Sequence, residues 1–229
     1  MRKGFSSSVS CISAAITRWL AVAVGLVFAL QATAQSVAEP FSELIAPLAN
    51  DRALGYFITD ARSSEGSSGA DVELCAWALD DWVRHSEGRL EVAPAAESDA
   101  LIRVYFVLPG FGRYGEMRPI RVGDQRGAEV YVRAETKPLS DEIASEVADD
   151  PLLRETIVYL TCLHELGHAL GMVHTAEFAD VMYFFGLGGD IPLFFGRYRA
   201  RLEEREDIAG ESGLSAGDIA QLLAAYPEN

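Results

Sequence analysis

The polar and apolar positions of this chain change period several times, and each change marks an element. Across residues 71–85, Val72, Cys75, Ala76, Leu79, Trp82 and Val83 recur at intervals of three and four, which predicts one buried face of a helix. Asp71, Asp80, Asp81 and Arg84 fall mostly on the opposite, solvated side; Gly88 supplies a stop, and His85 is expected to be exposed at the polar helix end. Before this helix, the run Leu-Gly-Tyr-Phe-Ile-Thr at residues 54–59 is β-branched and aromatic enough for a strand, closed by the Ser/Gly-rich stretch 63–69.

Two more strands are expected at residues 101–108 and 128–134. In the second, Glu129, Tyr131 and Arg133 alternate with Val130 and Val132. The Gly/Pro-rich residues 109–127 between them read as a loop. A second helix should run from Pro151, a favoured first-turn residue, to Gly171. A third should follow Ser215, which can cap it, with Asp218 in its first turn, Ile219, Leu222 and Leu223 on one apolar face, and Pro227 at its end.

The amino-terminal pattern is of another kind. Arg2, Lys3 and Arg18 lead into an apolar run from Trp19 to Leu30, and Ala32-Thr33-Ala34 follows, the layout of a secretory signal peptide cut after Ala34. The competing reading, an uncleaved anchor, needs roughly 20 apolar residues to span a bilayer, and this run is much shorter. The expected organisation is a leader over residues 1–34, an extended segment over 35–52 and a single domain over 53–229, exported to the periplasm or beyond the cell.

Export changes what the charge and the cysteines mean. Losing the leader removes three basic and no acidic residues, so the formal charge moves from −15 to −18. Nucleic acid and anionic membrane surfaces are poor partners for such a field, no nucleic-acid partner is expected, and no stable membrane insertion is expected after cleavage. The acidity reads as solubility rather than as a substrate signal. Cys11 falls in the leader, which leaves Cys75 and Cys162 in an oxidising compartment, either bonded to each other across two packed helices or buried as free thiols.

The chemistry sits on the second helix. Residues 164–174 read His-Glu-Leu-Gly-His-Ala-Leu-Gly-Met-Val-His. On a helix, His164 and His168 lie one turn apart on one face, so both imidazoles reach a single ion. Glu165 stands beside the first of them, near enough to act as a general base without binding the metal. Gly171 can adopt the left-handed conformation that ends a helix and swings His174 back toward the same ion. Three neutral nitrogen ligands leave a fourth position open, which is the mark of a catalytic rather than a structural zinc site.

The spacing H-E-x-x-H-x-x-G-x-x-H, followed by Met182, resembles the metzincin metallopeptidases and their methionine-containing turn. The run from His174 to Tyr183 is most similar to the matrixin branch, and so, more weakly, are the first helix, the Ser-Asp-Ala-Leu-Ile-Arg-Val stretch at 98–104, and the closing Leu-Ser-Ala-Gly-Asp-Ile. The resemblance implies an α+β zincin-like domain with a small twisted mixed sheet, two long helices behind it and a third at the end. It implies one catalytic zinc on His164, His168 and His174, Glu165 as base, Met182 as a packed floor rather than a ligand, and cleavage of a polypeptide bound as an extended strand, here along residues 128–134 as the sheet edge. Structural calcium is implied by the resemblance alone; Asp80-Asp81 and Asp149-Asp150 read as solvated turns or helix ends.

Departures accompany it. Thr175 stands where matrixins have serine and Phe184 where they have proline; no cysteine-switch propeptide motif is visible, and Tyr183 falls one residue short of the position of the extra tyrosine ligand found in some metzincins. Phe184, Phe185, Phe194 and Phe195 can be core, pocket wall or partner surface. Two other readings remain: a relative that binds zinc or peptide without cutting, and an exported adaptor with a purely structural zinc.

Overall fold

Among the described residues a strand, a helix and four further strands come first. The computed structural model describes residues 46–49, 53–59, 69–107, 113–136 and 139–228, so the leader, its cleavage site and Cys11 lie outside the described residues. The strands are β1 (Leu54–Ile58), β2 (Val92–Pro94), β3 (Ile102–Val107), β4 (Gly115–Val122) and β5 (Gln125–Arg133), in the order β2-β1-β3-β5-β4. All neighbours run parallel except β4, which is antiparallel to β5. Helices α1 (Gly69–Arg84), α2 (Asp141–Asp149), α3 (Pro151–Ala169), α4 (Ile191–Arg199), α5 (Asp207–Gly210) and α6 (Ala216–Ala225) complete an α+β architecture with a mixed sheet.

Alternation decides which face of the sheet is covered. Ile102, Val104 and Phe106 of β3, in register with Ala128, Val130 and Val132 of β5, are buried, while Arg103, Tyr105 and Glu129 face the other way. Against the apolar face packs α3, buried on almost every side, and against α3 packs α1 through Leu74, Cys75, Ala78, Leu79 and Trp82. Cys75 and Cys162 are joined by a disulfide, with a Cα–Cα distance of 5.3 Å, and the Trp82 indole N–H donates to the Leu163 carbonyl at 2.9 Å. Truncating a fully buried α3 side chain such as Leu166 to alanine would cost about 2–5 kcal/mol.

Two acidic residues of α1 lie in that interface rather than in solvent. Asp71 is fully buried because Arg154 of α3 forms an ion pair with it, and Asp81 because it accepts from Tyr159 Oη at 2.8 Å, Ser212 Oγ at 3.0 Å and the Gly213 amide at 3.0 Å. A charged residue enters a core when its partners come with it, so the amphipathic pattern assigned these two to the wrong side. His85 is half-buried against Asp81, its Nδ1 2.9 Å from the Asp81 carbonyl, not simply exposed. Asp150 pairs with Arg199 at 2.7 Å.

The presumed loop 109–127 contains β4 and the start of β5. Its sequence, Gly-Glu-Met-Arg-Pro-Ile-Arg-Val, shows no alternation because an edge strand needs neither face fully buried, and Pro119 is tolerated where no second ladder asks for its missing N–H. The strand at 128–134 is therefore interior, paired on both sides, and β4 is the sheet edge next to it, β2 being the opposite one. After α3, the chain builds α4, capped by Asp190 accepting from the Leu193 amide at 2.9 Å, and then α6, which has the expected Ser215 cap and a reciprocal Asp218 contact. Among the described residues no helix is long and apolar enough to cross a membrane.

Candidate metal centre and the cleft beside it

α3 sets the first two histidines. His164 and His168 face each other across one turn, with ring centroids 4.8 Å apart. The helix then stops at Gly171, which has φ +99, and no side chain fits there because a Cβ would lie 2.9 Å from the Pro47 backbone. The turn returns the chain so that His174 Nε2 lies 3.1 Å from His168 Nε2 and 3.3 Å from His164 Nε2. Two nitrogens bound tetrahedrally at about 2.05 Å from one zinc would be about 3.3 Å apart. The cluster can therefore hold a metal ion, and among the described residues it is the one group of histidine, cysteine or carboxylate ligands that converges this way.

The far ring nitrogens explain why the near ones point inward. His164 Nδ1 lies 2.7 Å from the Val181 carbonyl and His168 Nδ1 2.9 Å from the Met172 carbonyl, so each Nδ1 carries the proton and each Nε2 presents a lone pair. Burial holds the imidazoles neutral: His164 is pushed down to about 3 by desolvation and then by His168, His168 to about 4 by desolvation, and His174 downward by the same cause. Neutral nitrogen is what a metal requires.

Glu165 turns from the histidines toward the sheet edge. Its carboxyl is buried, which raises it to about 8, a shift opposed by a backbone hydrogen bond from Met117. It lies so close to β4 that a Cβ at Gly115 would come within 2.5 Å of Oε1. His164 and Glu165 share the wall of a cavity of about 280 Å³ whose remaining lining is nearly all apolar, including Tyr114, Leu160, Phe194 and Phe195.

Met182 lies below the helix, fully buried, with its sulfur against Gly167; a Cβ there would approach it to 2.5 Å. The turn that carries it is held by Asp218, whose carboxylate accepts from the Val181 amide at 2.9 Å, the Met182 amide at 3.2 Å and the Ser215 amide at 2.8 Å. Val181 in turn presents its carbonyl to His164, so α6 reaches the histidine cluster through one residue. Asp218 was legible as a helix-cap acid; its reach to residues 181 and 182, like the parts of Gly115 and Met117, has no local sequence signal.

The four phenylalanines divide. Phe194 and Phe195 are buried at 3% and 6% exposure and line the cavity; Phe185, at 36%, lines it from the rim; Phe184, at 45%, tilts over His174 with ring centroids 4.9 Å apart. Tyr183 is buried and donates to the Gly188 carbonyl at 3.0 Å, well occupied away from the histidines. Neither a family model nor a curated protein matches this chain.

Proposed function

We propose that this protein is a zinc-dependent endopeptidase of the metzincin type, most similar to the matrixin branch, exported by its amino-terminal leader. The observation that carries the reading is the convergence of three imidazoles, His174 Nε2 lying 3.1 and 3.3 Å from the other two Nε2 atoms and all three ligand atoms within 4.8 Å of one another, beside a buried glutamate. An all-imidazole donor set suits zinc and ill suits calcium or magnesium, which take oxygen ligands. His164, His168 and His174 would hold the ion, and when bound it supplies Lewis acidity, acidifying water and polarising a carbonyl oxygen.

The chain's own groups do the rest. Glu165, returned to the ionised state by a bound cation, takes a proton from the attacking water and returns it to the leaving amine. β4, the sheet edge, pairs with the main chain of an extended polypeptide, and because Gly115 and Met117 lie on it, that polypeptide is brought beside Glu165. The apolar cavity beside His164 takes a substrate side chain next to the bond being cut. Met182 packs its side chain beneath the helix and would not be a metal ligand.

The test is zinc content and cleavage of a broad peptide library by the chain from Gln35 onward, wild type beside Glu165→Ala. The reading requires about one zinc in both proteins and turnover in the wild type alone. Zinc without cutting in either would favour a peptide-binding relative, and no zinc in either would end both readings.

A further inference from the structure

We infer that Gln221 is a positioning residue for His174, an inference that rests on the three-histidine cluster holding a metal. His164 and His168 are carried by a buried helix and each is oriented by a main-chain carbonyl at Nδ1. His174 has neither support. It lies beyond the helix stop at Gly171, and among the described residues only its Nε2 makes hydrogen-bond contacts, both to the other two histidines.

Its place is thus set by the residues on either side. On the carboxyl side, the Thr175 amide donates to the Met182 carbonyl at 2.9 Å and the Phe184 amide to the Thr175 carbonyl at 3.0 Å. On the amino side stands Val173, which is 47% exposed and whose main chain joins no backbone hydrogen bond among the described residues. Gln221 serves both of its polar groups. Oε1 accepts from the Val173 amide, and Nε2 donates to the Val173 carbonyl at 3.2 Å.

A two-point contact fixes the orientation of the backbone at Val173 as well as its distance, and so the direction in which the next residue, His174, projects. Only a carboxamide offers a donor and an acceptor side by side in this way; a carboxylate accepts at both ends and a hydroxyl offers one atom. The anchor point is itself rigid. α6 has a capping box at Ser215, a fully buried Leu222, and Tyr226 donating to the Leu170 carbonyl at 2.9 Å. One helix therefore secures the backbone near all three histidines: Asp218 through Val181, Tyr226 through Leu170, and Gln221 through Val173.

The experiment compares the full chain as wild type, Gln221→Ala and Gln221→Glu. Zinc affinity is read by competition with a chromophoric chelator, thermal midpoint on the metal-free proteins, and Val173 amide exchange by NMR on the same metal-free samples. Loss of an outer support of a ligating histidine lowers metal affinity by about 10- to 100-fold; Gln221→Ala should fall near the lower end, and Gln221→Glu, which keeps the acceptor for the Val173 amide, between it and the wild type. The metal-free midpoint should drop by no more than about 3 °C, while the Val173 amide exchanges faster. A merely structural role would lower the midpoint and leave zinc affinity unchanged, which overturns the inference, as does unchanged Val173 exchange. A wild type that binds no zinc overturns the three-histidine reading and this inference with it; a wild type that binds zinc no better than Gln221→Ala overturns this inference alone.

Discussion

Gly115→Ala tests the proposed general base, Glu165, separately from the three-histidine cluster. The glycine has no positive φ, so alanine suits its backbone, but the added Cβ would sit 2.5 Å from Glu165 Oε1, 2.8 Å from its Cγ and 2.9 Å from its Cδ. Carbon and oxygen rest at about 3.5 Å, so the carboxylate must retreat by about 1 Å, or β4 must bend away and lose the Met117 hydrogen bond. Misplacing a catalytic group by that distance costs about 100-fold in rate, or about 2.7 kcal/mol. The expected outcome is kcat/KM on a quenched fluorescent peptide reduced about 100-fold, with one zinc per chain retained and little change in thermal midpoint. Gly196→Ala is the control, since a Cβ there meets nothing within 4 Å. Activity of Gly115→Ala within about threefold of wild type would refute the argument, because the glutamate that cuts could not then be the one packed against β4.

Three other outcomes follow from the same geometry. Replacing both Cys75 and Cys162 with alanine opens a cross-link that spans 87 residues of sequence, worth about 4.5 kcal/mol by loop-closure entropy, so scanning calorimetry should show a midpoint roughly 10–15 °C lower. Asp218→Ala leaves three amides without their acceptor, two of them on the turn that orients His164; a midpoint lower by roughly 6–12 °C and weaker zinc binding are expected, with Asp218→Asn partway back. In the metal-free protein, His164 and His168 titrate below the unfolded value of about 6.5, so the folded state binds fewer protons and loses stability as pH falls below that point. Glu165, raised to about 8, acts in the opposite sense, its contribution lost as pH rises from about 4.5 to 8, so denaturant titrations should find Glu165→Gln flatter than wild type above pH 6.5.

Much of the fold is legible wherever burial is one-sided and regular. β3 shows it plainly, alternating buried and half-buried positions along its whole length. The pattern fails where partners replace hydrophobicity. Asp71 and Asp81 look solvated in any helical projection, but Arg154 beside the first, and Tyr159 and Gly213 with the nearby Arg84 beside the second, make their burial affordable, and all of these except Arg84 are far away in sequence. It fails again at β4, because an edge strand with Pro119 at its middle obeys a rule of position in the sheet and not of composition.

The same division runs through the site. The three histidines sit within eleven residues, and a helix followed by one glycine turn suffices to bring them together, so local sequence carries the whole constellation. His168 is aimed locally by the Met172 carbonyl, but what aims the other two is remote: Val181 for His164, Asp218 for Val181, Gln221 for the residue before His174. A ligand set alone specifies an ion, but catalysis also requires that the ligands hold one geometry while a peptide enters beside them. Under the proposed function that second requirement falls to α6, more than forty residues past the histidine motif, and so a chain that kept the motif and lost the helix should keep some affinity for zinc and lose turnover.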